Sequence, residues 1–355
     1  MNVFKLHKIT GLFVVVALMA GACQKHSQPA PAGRSYRLGF MSSAPKPDIN
    51  LYLQSLSIWT LHADATIIST EVPWDSLMNG EDPATYVVDN YVGLVNYCRS
   101  LNMKLWVYID PANGLNRASD SDPLIARGKS IAQTDVQQIY RRFVVVADSI
   151  LHPDHLGLAL ETNAIRLVSP DSVYQGVKAA ANGAAADVRA VDPHVPLSVS
   201  VQAEVAWGKL NGSNFLGATQ DFTDFPFMQE LGISSYPYLG GYTAPGDIPL
   251  NYYSQLVASR AMPVFVSEGG WNSATSSLAT QAAYIQRQGQ LLAQAHAIGV
   301  FQLTFTDLEL SGWPAADSAG LIPFAFLGLV DSNFTPKPAL ATWDTLFKQP
   351  LQQGH

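Results

Sequence analysis

Short apolar runs alternate along most of the chain with longer stretches in which apolar residues recur every three or four positions. The first pattern reads as buried strand and the second as amphipathic helix. Strands are predicted at residues 36–41, 66–70, 104–110, 156–161, 196–202, 233–237, 264–266 and 300–305. Helical stripes fall between them. One is made by Leu51, Leu53, Leu56 and Trp59, and one starts at Pro83 and carries Val87, Tyr91, Leu94, Val95 and Cys98. A third carries Val136, Ile139, Tyr140, Phe143, Val144 and Ala147. Residues 171–191 (with Asp171 as N-cap), 251–260, 278–298 and 338–347 complete the set, and only a poorly periodic link through Phe222, Phe225 and Phe227 separates the fifth and sixth strands.

Strands and helices that alternate eight times predict an α/β protein, a single (β/α)8 TIM barrel over residues 35–350. A doubly wound open sheet is the competing arrangement. It would carry a glycine-rich phosphate turn after its first strand, where this chain has Met41-Ser42-Ser43-Ala44-Pro45. The Gly240-Gly241 pair reads as a plain turn.

The chain has 355 residues and a net charge of -7, with no basic block, so nucleic-acid binding has no electrostatic footprint. At the N-terminus, Lys5 and Lys8 precede an apolar run over 11–22 and then Met19-Ala20-Gly21-Ala22-Cys23. This resembles the bacterial lipoprotein signal, which implies a signal peptide over 1–22, lipidation of Cys23 and a flexible tether over 23–34. The resemblance implies a lipid anchor in the cell envelope, sorted to the outer membrane. A plain secretory peptide cut near Ala22 is the alternative. With Cys23 modified, Cys98 is left alone and no disulfide is expected.

The candidate chemistry lies at strand ends. Glu161 ends the fourth strand, and Glu268 ends the seventh, in Pro263-Val264-Phe265-Val266-Ser267-Glu268-Gly269-Gly270-Trp271. In a closed barrel these ends face each other across the mouth. Retaining glycoside hydrolysis needs two carboxyl groups about 5–5.5 Å apart, one as nucleophile and one as acid/base.

These motifs resemble the clan of retaining glycoside hydrolases on (β/α)8 barrels whose acid/base follows strand four and whose nucleophile follows strand seven. Ser267-Glu268-Gly269-Gly270-Trp271 resembles the nucleophile motif of endo-β-1,4-galactanases and some β-glucanases. Ser235-Tyr236-Pro237-Tyr238 resembles the strand-six motif whose tyrosine hydrogen-bonds the nucleophile. Gly328-Leu329-Val330-Asp331 with Thr335-Pro336-Lys337-Pro338-Ala339 resembles the entry to the last helix. The resemblance implies Glu268 as nucleophile, Glu161 as acid/base, Tyr236 as the residue that orients Glu268, and an endo-acting monomer that cleaves a β-linked polysaccharide or oligosaccharide.

Two departures stand out. Leu160 occupies the position of the Asn that usually precedes the acid/base, with Asn163 two residues after it as a substrate-binding candidate. Residues 66–74 also lack the Arg that usually steadies the nucleophile. A non-catalytic surface glycan binder on the same barrel is therefore the alternative, and Glu204 is a spare acid/base candidate. Trp74, Trp271 and Trp313 are candidates to stack on sugar rings, and Asp110 and Gln202 to bind hydroxyls, with core packing or capping as the competing role for each. No metal or cofactor is expected. His152 and His155 read as loop histidines, and Asp120 and Asp122 lack a calcium-loop spacing. An aldolase-type barrel would want a strand-end lysine or a metal cluster, and the chain has neither pattern.

Overall fold

Each apolar run becomes a strand in the computed structural model, which describes residues 33–352. The strands are β1 (Arg37–Met41), β2 (Ala65–Glu71), β3 (Lys104–Asp110), β4 (His155–Gly157), β5 (Leu197–Gln202), β6 (Glu230–Ser235), β7 (Val264–Gly269) and β8 (Gly299–Gln302). Each pairs in parallel with the next and β8 closes on β1, so the (β/α)8 barrel predicted from the pattern is the one formed. The predicted signal peptide, Cys23 and the tether up to Ala32 lie outside the described residues.

Parallel strands are buried on both faces, which is why these runs show so little alternation. Ile68, Val107, Leu231, Val264 and Val266 face outward into the shell packed beneath the helices. Ala65, Ile67, Trp106, Tyr108, Phe265 and Phe301 face inward and fill the barrel. Tyr108 occupies the middle layer, and two glycines make room for it. A Cβ on Gly157 would lie 2.2 Å from the Tyr108 ring, and one on Gly232 would lie 2.3 Å from its hydroxyl. That hydroxyl hydrogen-bonds Ser198 Oγ at 2.8 Å. Below Tyr108, Trp106 stacks on His155 at 3.9 Å, and His155 pairs with Glu230 at 2.8 Å. The barrel is thus plugged, and its open space lies at the carboxyl ends of the strands.

Several predicted elements differ. The first helix, Ile49–Trp59, buries Ser55, Leu56 and Trp59 and leaves Leu53 exposed. The stretch 251–260 forms only a short 3-10 turn, Ser254–Val257. Adjacent Tyr252 and Tyr253 are both fully buried and bond different partners, Glu204 and Ser235, which one helical face cannot achieve. Asp171 starts its helix but makes no side-chain cap. The helix after β7 stops at Gln294. Arg34, assigned to the tether, is buried against Phe347 of the last helix and pairs with Asp64 at 2.6 Å.

Candidate active site

Strand β4 leaves the sheet early. Beyond Gly157 only single bonds to β5 continue, and Glu161 N donates to Ser200 Oγ at 2.9 Å where the next backbone acceptor would be. Glu161 then takes a left-handed backbone, φ 49°, and its carbonyl receives Ala164 N and Ile165 N as the helix Thr162–Val168 begins. A β-carbon in that conformation costs about 1–3 kcal/mol and is tolerated where a side chain must be aimed. The carboxylate is aimed into the barrel mouth, and Glu161 is 7% exposed.

Strand β7 reaches the mouth by another device. Phe265 points into the barrel, so strict alternation would send Ser267 inward and Glu268 out. The register with β6 instead runs Ile233↔Val266 and then Ser234↔Glu268. This bulge turns Glu268 to the same side as Ser234. Ser234 Oγ lies 2.5 Å from Glu161 Oε1 and 2.9 Å from Glu268 Oε1. Two contacts through one atom place these carboxyl oxygens no more than about 5.4 Å apart, short of the roughly 6.5–9.5 Å of inverting pairs. A serine hydroxyl owns a single proton and donates to one carboxylate only. Both contacts are satisfied at once when the other carboxyl is protonated and donates to Oγ. Burial, followed by the Glu161 charge, pushes Glu268 up to about 7, with Arg117 and Ser234 opposing.

The cation at the site comes from the loop after β3. Arg117 Nε donates to Glu161 Oε2 at 2.9 Å, and its Nη1 donates to Asp110 Oδ2 at 2.5 Å and to Asn113 O at 3.2 Å. Burial works against the guanidinium charge, but Asp110 and Glu161 outweigh it and the net shift is upward. Asp110 is itself raised, by burial first, with Arg117 drawing it back. The loop is tied down by Glu71 at the end of β2, which accepts Gly114 N at 2.6 Å and Ser121 Oγ at 3.1 Å. Asp120 accepts Ile131 N, and Asp122 accepts Asn113 Nδ2, so both brace the same region.

A cavity of about 470 Å³ opens above the pair, within the usual range for a small-molecule site. Glu161, Glu268, Tyr236, Gln202 and Trp313 line it together, as does Arg117. The Thr304 hydroxyl also lines it and is buried without a partner. The other candidates sit elsewhere. Asn163 spends its amide on strand β5, giving Nδ2 to Gln202 O and accepting Gln202 N. Trp74 and Trp271, each 1% exposed, pack in the core, where the Trp271 ring contacts Tyr284 and Tyr238. Asp110 is fully buried beneath Arg117. Glu204 is sealed from the cavity; burial pushes it up to about 7, and Tyr252 Oη donates to it at 3.0 Å. Tyr236 makes no hydrogen bond to Glu268. The bulge sets Ser234 in that position, while the tyrosine ring packs on Phe324 at 5.0 Å.

Sequence reasoning missed Ser234 and Arg117. The bulge leaves no mark on an uninterrupted apolar run. For Arg117 there was a signal, because Glu71 and Asp110 end neighbouring strands and are paired in register, an arrangement that calls for a cation.

No protein-family model and no curated protein matches the sequence. Solved structures do match the fold. The exo-beta-1,4-mannosidase Op5Man5 from Opitutaceae bacterium strain TAV5 matches over 89% of this chain, with TM-score 0.68 and 15% identity. This chain spans 60% of that protein's length. GH5_18 from Bifidobacterium longum subsp. longum ATCC 55813 matches over 90% of this chain and 81% of its own, with TM-score 0.64 and 15% identity. The virulence factor SghA from Agrobacterium tumefaciens matches over 89% and 97%, with TM-score 0.59 and 11% identity.

Proposed function

We propose that the chain is a retaining glycoside hydrolase acting on β-linked glycosides, with Glu161 and Glu268 as its two carboxylates. The observation that carries this reading is Ser234 Oγ bonded to both groups at once. The glycosidase names of proteins sharing the fold support it. In this reading Glu268, after the seventh strand, is the nucleophile and Glu161, after the fourth, the acid/base, as the resemblance of their motifs implies. Glu161 protonates the glycosidic oxygen as Glu268 attacks the anomeric carbon and the bond to the leaving group breaks. Glu161 then takes a proton from the water that releases the sugar. A monomer anchored in the bacterial envelope through Cys23 is part of the same proposal; loss of envelope association in Cys23→Ala is its test.

A second reading exchanges the two roles. Arg117 Nε donates to Glu161 and makes no hydrogen bond to Glu268, so the arginine contact usual for a nucleophile falls here on Glu161. The test for both is a panel of dinitrophenyl β-glycosides and their 2-deoxy-2-fluoro analogues, with Glu161→Gln and Glu268→Gln beside wild type. A fluoroglycosyl adduct mapped to Glu268 supports the first reading, and one on Glu161 supports the exchange. Glycan binding with no hydrolysis of any substrate would move the assignment to a non-catalytic binder.

A further inference from the structure

The wall of the cavity beside Glu161 carries almost no hydrogen-bonding groups. In the helix that Glu161 opens, Ala164, Leu167 and Val168 recur at the i, i+3, i+4 spacing of one face, and all three line the cavity. The other face is spoken for, because Ile165 is in the core and Arg166 pairs with Asp221 at 2.8 Å. Leu115 from the β3 loop and Val205 and Leu210 from the β5 loop complete the wall. Leu115, Leu167, Val168 and Leu210 remain 43–52% exposed, so they cover no core of their own. Arg117 is committed to Glu161, Asp110 and Asn113, which leaves the Gln202 amide as the uncommitted polar side chain at the end of β5.

We infer that the group expelled from the substrate is apolar, an aryl or alkyl aglycone, in place of the next sugar of a polymer. The inference rests on the reading of Glu161 as acid/base, because the acid/base stands beside the departing oxygen and its neighbours then form the leaving-group subsite. A second pyranose there would bury hydroxyls against six side chains that offer no partner. An apolar aglycone instead removes exposed leucine and valine surface from water. The cavity of about 470 Å³ is of small-molecule size. The substrate of this proposal is a small amphiphilic glycoside, where the motifs by resemblance imply a β-linked polysaccharide or oligosaccharide.

The test is kcat/KM for alkyl β-glycosides from ethyl to octyl, on the sugar selected by the dinitrophenyl panel, beside oligosaccharides ending in that sugar. Leaving-group acidity is nearly constant along the alkyl series, so contact with the wall is what varies. The expected result is a rise of roughly two- to fourfold per methylene. Leu167→Ser combined with Val168→Ser should flatten that slope; both positions are exposed, so the change removes no core side chain, and an unchanged urea midpoint is the accompanying control. A flat alkyl slope, or oligosaccharides cleaved faster than the octyl glycoside, overturns this inference while hydrolysis itself stands. Failure to hydrolyse any member, dinitrophenyl glycosides included, overturns the glycosidase reading and this inference with it.

Discussion

Replacing Arg117 with methionine keeps most of the side-chain volume and removes the cation from the site. Asp110 is then a carboxylate with 1% side-chain exposure facing Glu161 without compensation. Only backbone donors remain to it, Ala112 N at 3.2 Å and Leu160 N. Breaking a buried pair from one side typically costs about 3–5 kcal/mol, because the surviving charge is stranded. The sign of the pH dependence follows from Asp110. Its folded pKa already lies above the ordinary value through burial, and loss of Arg117 raises it further. The folded variant therefore takes up a proton that the unfolded chain does not. The deficit is largest at high pH and shrinks as pH falls through the raised pKa. Urea unfolding of wild type and variant at pH 8 and pH 5.5 should show the larger difference at pH 8. Arg117→Met with Asp110→Asn should recover most of it. A deficit under about 1 kcal/mol at pH 8, equal at both pH values, would refute the claim that Arg117 holds this cluster together.

Four further outcomes follow from the same geometry. If Glu268 is the nucleophile, kcat/KM falls as pH drops below about 7; if the roles are exchanged, it falls as pH rises above about 7. Ser234→Ala should cost about ten- to a hundredfold in kcat/KM and move the Glu268 titration upward, because the lost hydrogen bond favours its ionised form. Glu204 should make wild type lose stability between about pH 4.5 and about 7, by at most about 3 kcal/mol, and Glu204→Gln should flatten that stretch of the denaturation-versus-pH curve. Gly157→Ala drives a methyl into the Tyr108 ring and should lower stability by about 1–3 kcal/mol, read as a fall in the urea midpoint.

The strand order and the strand-end glutamates were legible because each rests on a local signal: an uninterrupted apolar run, or a carboxylate where that run stops. What stayed hidden depends on relations between distant segments. Strand β7 reads as buried throughout, so nothing in Val264-Phe265-Val266 announces the bulge that turns Glu268 inward and opposes it to Ser234. Arg117 lies in a loop without periodicity, and its role exists only because Glu71, Asp110 and Glu161 converge on that loop. The tryptophans show the converse error. Trp74 and Trp271 follow strand ends as a stacking residue would, yet the chain folds back at both places and the indoles enter the core, while Trp313 borders the cavity. Aromatic identity at a strand end does not reveal which side of the turn the ring takes.

The most direct test of the carboxylate pair is the anomeric configuration of the first-formed sugar. Wild type would be followed by proton NMR during cleavage of the preferred dinitrophenyl β-glycoside, with spectra recorded before mutarotation. Two carboxyl groups held by one serine predict the β anomer first, with the α anomer appearing only later. An α anomer formed first would mean that water attacks directly, and it would contradict a nucleophilic carboxylate at this site.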